Sequence, residues 1–365
     1  MEKTSLHIAF GSLHDPRINR KKQHNLLDII ILSILAVLCS ANGYEEIVDY
    51  GRTNIEFLKQ FLVLKNGIPS HDTIRRVFML LNPQALERCF AEWAQGLKDE
   101  NIIERVIALD GKTSRRTKDT FKHKSPLHSL HAWSVENGIC LGQIACGEKS
   151  NEITAIPQIL DLLSIKGSII TIDAMGTQRS IAEKIIEEGG DYILAVKGNQ
   201  GGLEEEVKTI CKVTRSVSDI TTVEKDHGRI ETRRCEVFKK GEIVDFDNVW
   251  TGLQTVIKIT ATREFENKTE TSERYYISSL SADNKDFNKY IRDHWQVENN
   301  LHWTLDMAFR EDEQRKRSGH SAKNFAIVRK IALNLLKKYP EKISTQRKRL
   351  KAAWNKQYLL KLVNF

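Results

Sequence analysis

Two short apolar runs, each ending in an aspartate, constrain this chain most: Val106-Ile107-Ala108-Leu109 before Asp110, and Ser168-Ile169-Ile170-Thr171-Ile172 before Asp173. Runs of this length, rich in β-branched residues and bounded by turn signals, read as strands buried in the core of a helix-covered sheet. Both aspartates then sit at the carboxyl ends of core strands, where open α/β sheets hold their ligands. A third acidic residue, Glu298 in His-Trp-Gln-Val-Glu-Asn-Asn, lies in a segment of helical periodicity from Phe287 to Phe309. Each aspartate taken alone is equally the start of an ordinary turn. Together, two strand-end carboxylates and one helical carboxylate can gather hard divalent cations, and two such ions can drive in-line phosphoryl transfer.

The remaining pattern supplies a frame for these three. Up to about Leu97 the chain reads helical, with Leu26, Ile30, Ile34, Val37 and Leu38 on one face and Gly43 as the stop. A second helix is expected over Tyr44 to Phe61. A third opens at Pro69-Ser70 with Ser70 as N-cap and presents Arg75 and Arg76, as a groove-reading helix does. Strands follow at Val106 to Leu109, His131 to Val135 and Ile139 to Ala145, the last two joined across Asn137-Gly138 as a hairpin. Helices near Thr154 to Leu163, Ser180 to Glu188 and Gly201 to Lys212 alternate with strands at Ser168 to Ile172 and Tyr192 to Val196. Strand character returns at Glu231 to Phe238, Val249 to Thr262 and Glu273 to Leu280. Helices over Phe287 to Phe309 and Ser321 to Lys338 precede a basic tail from Arg347 to Lys361.

This order predicts an α/β fold: an RNase H-like mixed-sheet catalytic core with a β-rich insertion, preceded by an N-terminal all-helical domain. The two aspartates lie about sixty residues apart and the glutamate follows after roughly 125 more, which matches such a core with an insertion before its last acid. Expected domains are 1–97 (helical, DNA-end-binding), 98–212 (first part of the core), 213–284 (insertion) and 285–365 (completion of the core and basic tail).

At these residues the chain resembles the DDE transposases of bacterial insertion sequences, in the branch of the H-repeat-associated proteins. The resemblance covers nearly the whole chain and rests on Ala108-Leu109-Asp110-Gly111-Lys112, Asp173-Ala174 with Gln178, Val196-Lys197-Gly198-Asn199-Gln200, His227-Gly228-Arg229-Ile230-Glu231-Thr232-Arg233, and His294-Trp295 through Asp306. Many relatives carry Tyr, Arg, Glu and Lys at fixed intervals across the last helix. Here those positions read Ile291, His294, Glu298 and Leu305, with Arg292 shifted by two places and Asp306 beside the expected Lys. The resemblance implies a transposase that binds insertion-sequence ends and catalyses cleavage and strand transfer through Asp110, Asp173 and Glu298. It would hold two Mg²⁺ or Mn²⁺ ions, act on double-stranded ends and target DNA as a homo-oligomer, and reside in the cytoplasm, on the nucleoid when bound to DNA. The alternatives are an RNase H-like nuclease without strand transfer and an inactive remnant that only binds DNA.

Composition agrees. A 365-residue chain with 40% apolar residues can bury a core, and a formal net charge of +8 favours polyanionic partners. Cys39, Cys89, Cys140, Cys146, Cys211 and Cys235 form no Cys-x-x-Cys pair, so a zinc site or disulfide framework is not expected and a reducing compartment fits. The apolar run from Ile29 to Ser40 is too short to span a bilayer, and Asp28 marks its start; no membrane association is expected. Further DNA contacts are expected at Lys112, Lys197 and Asn199, at the extended face of His227, Arg229 and Arg233, and at Arg292, His294, Trp295 and His302. Each has a plainer alternative as a solvated, paired or packed side chain. Trp295 and Trp303 could stack on an unpaired base, with core packing of at least one expected.

Overall fold

The computed structural model describes residues 4–19, 22–103, 105–121, 123–147, 152–226, 229–240 and 249–363. The chain forms two compact units: one of Met1–Ile102, Gly111–Asn151 and Glu298–Phe365, the other of Ile103–Asp110 and Glu152–Val297. The chain therefore passes between units four times, after Ile102, after Asp110, after Asn151 and before Glu298.

In the first unit, α1 (Ser5–Phe10) precedes α2 (Leu26–Leu38), which is buried on nearly every side. Each fully buried Leu or Ile there contributes about 1.5–3 kcal/mol. Asp28 is buried too, because its carboxylate accepts the Val63 and Leu64 amides at 3.4 and 3.1 Å and so pins the loop that follows. The turn after α2 is made by Ser40, at φ 76°, and not by Gly43, which instead caps α3 (Tyr44–Thr53). The single helix expected to Phe61 breaks at Asn54 into α3 and α4 (Ile55–Leu58). In α5 (His71–Leu80) the Ser70 hydroxyl accepts the Thr73 amide at 3.3 Å, the cap read from the sequence. Pro83 then opens α6 (Pro83–Gln95).

The strand β1 (Val106–Ser114) begins in the second unit and ends in the first. Its continuation leads to the hairpin of β2 (Leu127–Ser134) and β3 (Ile139–Ala145), closed by Gly138 at φ 64°.

In the second unit, α7 (Glu152–Leu160), β4 (Ile169–Ile172), α8 (Arg179–Glu187), β5 (Asp191–Val196) and α9 (Gly201–Val213) alternate as expected. The insertion is a meander of β6 (Ser218–Asp226), β7 (Arg229–Lys239), β8 (Thr255–Phe265) and β9 (Lys268–Ser278). Strand order in this unit is β1-β4-β5-β9-β8-β7-β6, parallel from β1 to β5 and antiparallel thereafter. The insertion thus extends the core sheet through the β5–β9 pair. Strand β6 was not expected, because its Ser, Thr and charged residues lack an apolar face. The strand expected from Val249 starts only at Thr255, since Gly252 at φ 73° turns the chain.

The long helix expected from Phe287 is instead α10 (Phe287–Asp293), a π-helical stretch Val297–His302 and α11 (Trp303–Phe309). In the first unit α12 (Ser321–Lys338) matches its expected limits and packs against α2, α5, α6 and β3. Its Asn324 amide donates to the Phe78 and Leu81 carbonyls at 2.9 and 2.8 Å, and Phe325 meets Tyr44 and Phe78 edge-on. The basic tail is in fact folded as α13 (Thr345–Trp354) and α14 (Lys356–Val363). Arg349 is 1% exposed, its guanidinium donating to the Val37 and Ala308 carbonyls. Lysine and arginine stems had masked an apolar stripe of Ala352, Tyr358, Leu359 and Leu362.

Candidate active site

Parallel pairing of β1 with β4 runs from Val106↔Ile169 to Leu109↔Ile172. Asp110, still inside β1, and Asp173, just past β4, are the next residues, so two carboxylates leave adjacent strands at one level; β1 does not end at Asp110 as expected but runs on to Ser114. Asp173 caps the 3-10 turn Ala174–Gly176, accepting the Met175 and Gly176 amides at 3.0 and 3.4 Å. That turn is built tightly: a Cβ on Gly176 would lie 2.4 Å from Ile172 Cγ2.

The turn after β5 braces the turn after β4. The Asn199 amide donates to Ala174 O at 2.7 Å and Gln200 donates to Thr177 O at 2.8 Å. Thr177 in turn donates to Ala195 O at 2.6 Å. The motif from Lys197 to Gln200 therefore acts as a brace behind Asp173, while Lys197 itself is exposed and places a positive charge near it.

Burial raises the Asp173 pKa, and the charge of Glu152 raises it further; the Gly176 and Met175 amides and Lys197 oppose. Glu152, in the first turn of α7 and 8% exposed, was not singled out from the sequence. Its only signal was a carboxylate opening an apolar helix. A strand-end aspartate made acid-weak by burial and a like charge is a group that a hard cation would relieve. The donor set of Asp110 and Asp173 fits Mg²⁺ or Mn²⁺ in kind. Among the described residues, no three acidic, histidine or cysteine side chains converge closely enough to hold one ion.

His294, at the end of α10, faces Thr171 of β4, with Nδ1 2.9 Å from the hydroxyl. Burial pushes its pKa down to about 4, with Lys197 adding to the effect, so the ring is neutral at pH 7 and ties α10 to the strand that carries Asp173. Trp295 is 39% exposed and lies under the Arg274 guanidinium, 4.9 Å from ring centroid to Cζ. Arg292 forms a two-pronged ion pair with Glu224 of β6. Arg233 is paired with Glu231 at 2.6 Å, because alternate residues of β7 share a face. Arg229 opens β7, and His227 lies outside the described residues.

In the first unit, Glu298 is exposed in the first turn of the π-helical stretch. The expected helix is broken between His294 and His302. His302 is buried, its Nε2 2.9 Å from Nδ1 of buried His131, so this ring packs. Burial, then the charge of Lys330, holds His131 well below the ordinary imidazole range. Lys112 is nearly buried and bonds Asp306 at 2.6 Å. Trp303 is 62% exposed, so neither tryptophan enters the core. Arg75 and Arg76 are both exposed on α5, Arg75 paired with Asp72 at 2.8 Å.

Comparison with known proteins places these observations. Residues 102–335 match the transposase DDE domain and residues 8–94 the DDE transposase-associated domain. The H repeat-associated protein YhhI of Escherichia coli K12 is 41% identical over 98% of this chain and 97% of its own length. YncI of Escherichia coli O157:H7 is 42% identical over 94% of this chain and 90% of its own. A short relative named inactive transposase YbfQ, from Escherichia coli K12, is 53% identical over 21% of this chain and 89% of its own. The chain belongs to the DDE transposase family.

Proposed function

We propose that the chain is an active, metal-dependent transposase that binds insertion-sequence ends, cuts them to free 3′-hydroxyls and joins those ends to target DNA. The observation that carries this reading is the pair of carboxylates at matched positions of adjacent parallel strands, Asp110 within β1 and Asp173 just past β4, the latter with a raised pKa. Asp110, Asp173 and Glu298 are the residues that would hold Mg²⁺ or Mn²⁺, and the chemistry such ions would supply is activation of the attacking oxygen and stabilisation of the leaving one. The residues of the chain orient them: the Asn199 and Gln200 brace fixes the Asp173 turn, and neutral His294 fixes β4 through Thr171. Lys197 is exposed beside Asp173 and meets the phosphate flanking the cut. Residues 1–97 take the DNA end through Arg75 and Arg76. Arg229 and Arg233 of the insertion hold flanking or partner-end DNA, and the protein acts as a homo-oligomer that pairs two ends.

The test is incubation of the full chain with a DNA fragment carrying its own flanking repeats and Mg²⁺ or Mn²⁺. Joined products are expected. Cleavage without joining would reduce the reading to a nuclease, and a shifted but uncut band would reduce it to a DNA-binding remnant. Asp110→Asn, Asp173→Asn and Glu298→Gln each remove a charge at nearly constant volume and should abolish cutting with binding retained. Wild-type cutting in any one variant removes that residue from the site.

A further inference from the structure

After β1 the chain runs Arg-Arg-Thr-Lys-Asp-Thr-Phe-Lys-His-Lys from Arg115 to Lys124, five lysines and arginines against one aspartate, with a single aromatic inside. The ends of its stretch 119–124 close on each other. Asp119 and Lys124 exchange both backbone hydrogen bonds, at 2.9 and 2.8 Å, and the His123 amide donates to Thr120 O at 3.4 Å with His123 at φ 51°. Phe121 stands in its tip, 91% exposed, more than any other large apolar side chain among the described residues.

The base of the loop is anchored. Lys124 Nζ donates to the carbonyls of Arg317 and Gly319 at 3.4 Å, and the Arg317 guanidinium donates to Arg116 O at 3.3 Å. Thr117 donates to Ser114 O and accepts the Leu127 amide, both at 2.7 Å. Arg116, Lys118 and His123 on the loop, with Arg317 beside it, all face solvent. Arg115, 84% exposed in its side chain, leans on Asp312 at 3.4 Å.

We infer that this loop is a binding site for unpaired nucleotides, with Phe121 stacking on an exposed base and the surrounding cations holding the adjacent phosphates. A flat apolar ring held in water within a collar of positive charge complements a ligand with a flat apolar face and negative charge on its flanks. An unpaired nucleotide has both. Bases inside a duplex keep their faces stacked on neighbours, so the loop selects overhangs, frayed ends and displaced strands. An apolar protein partner would cover the ring and leave the cations without counter-charge. The inference rests on the reading of the chain as a protein that acts on DNA ends, and names the form of DNA that one loop takes.

The test compares the full chain with Phe121→Ala and Phe121→Trp, using a duplex with a short overhang that carries 2-aminopurine and the same duplex fully paired. Phe121→Ala should bind the overhang about tenfold more weakly and bind the paired duplex unchanged, losing the fluorescence change of the stacked base. Phe121→Trp should restore both. The ring contacts water, so all three proteins should unfold at the same temperature. Equal overhang binding and equal fluorescence in Phe121→Ala and wild type would overturn the inference. So would a change of oligomeric state in Phe121→Ala without DNA, which would give the ring to a protein partner. Nicking and joining by wild type are scored separately. Their absence, with Phe121-dependent stacking intact, would defeat the proposed function alone; their presence, with stacking insensitive to Phe121, would defeat this inference alone.

Discussion

Lys112 shows how a residue beside a proposed catalytic aspartate can be structural. It follows Asp110 by two positions, yet its ammonium turns to Asp306 at 2.6 Å and Asp312 at 3.8 Å and is nearly buried. Burial raises the Asp306 pKa while Lys112 holds it down. Removing one partner leaves the other charge partly desolvated, and the half-open carboxylate puts the cost below that of a fully buried pair. Lys112→Ala should therefore lose about 2 kcal/mol in urea unfolding at pH 7, and adding Asp306→Asn should recover part of it. Strict additivity of the two changes would mean the pair contributes nothing. Proximity in sequence to Asp110 suggested a phosphate contact or a solvated side chain. A partner 194 residues away could not be read from local pattern. The same holds for Arg292 with Glu224, where a basic residue is legible in the sequence but its neutralising neighbour depends on how α10 packs against β6.

Among the elements, α6 carries a carboxyl whose burial sets a pH dependence. Glu87 is buried and accepts the Ala145 amide at the end of β3 at 3.2 Å. Burial pushes its pKa from 4.5 up to about 7, against the opposing pull of the Ala145 amide and Lys323. The folded state then holds a proton that the unfolded state releases between these values. This contribution to stability is complete below about pH 4.5 and is lost as pH rises to about 7. Glu87→Gln keeps the hydrogen bond and removes the proton equilibrium, so it should flatten the pH dependence over that window and gain about 3 kcal/mol relative to wild type at neutral pH. Urea unfolding midpoints across the window decide it; parallel curves for the two proteins would show that Glu87 ionises without cost. The start of α5, marked by its Ser70 cap, and both limits of α12, marked by a long apolar periodicity, were legible. Elements with a solvent face dominated by charge, such as β6 and α13, were not, because their apolar signal is diluted by residues that face water.

For the whole molecule, the net charge of +8 is smaller in effect than the count of 56 lysines and arginines suggests, since many of them are committed to carboxylates within the fold. DNA affinity should then depend on a limited set of exposed cations, whose surface pairs, such as Arg75 with Asp72, are weak enough for a phosphate to displace. If α5 takes the DNA end, Arg75→Ala with Arg76→Ala should weaken binding and reduce the slope of log K against log salt by about two. An unchanged slope would move end recognition to another part of the chain. No described helix is long and apolar enough to cross a membrane, in keeping with the reading of Ile29 to Ser40 as a core helix.

What the sequence determined by itself was the core strands β1 to β5, their chain order and the two aspartates that follow the apolar runs of β1 and β4, because a buried strand needs an unbroken apolar run. Family membership was legible for the same reason, through motifs a few residues long. The tertiary structure decided what those motifs face. It widened the helix bearing Glu298 into a π-helical turn, set Glu152 beside Asp173, buried His302 against His131, and left Phe121 in water at the tip of a pinned loop. Each of these depends on contacts between residues far apart in the chain, where packing and charge pairing decide the outcome and local periodicity carries no record of it.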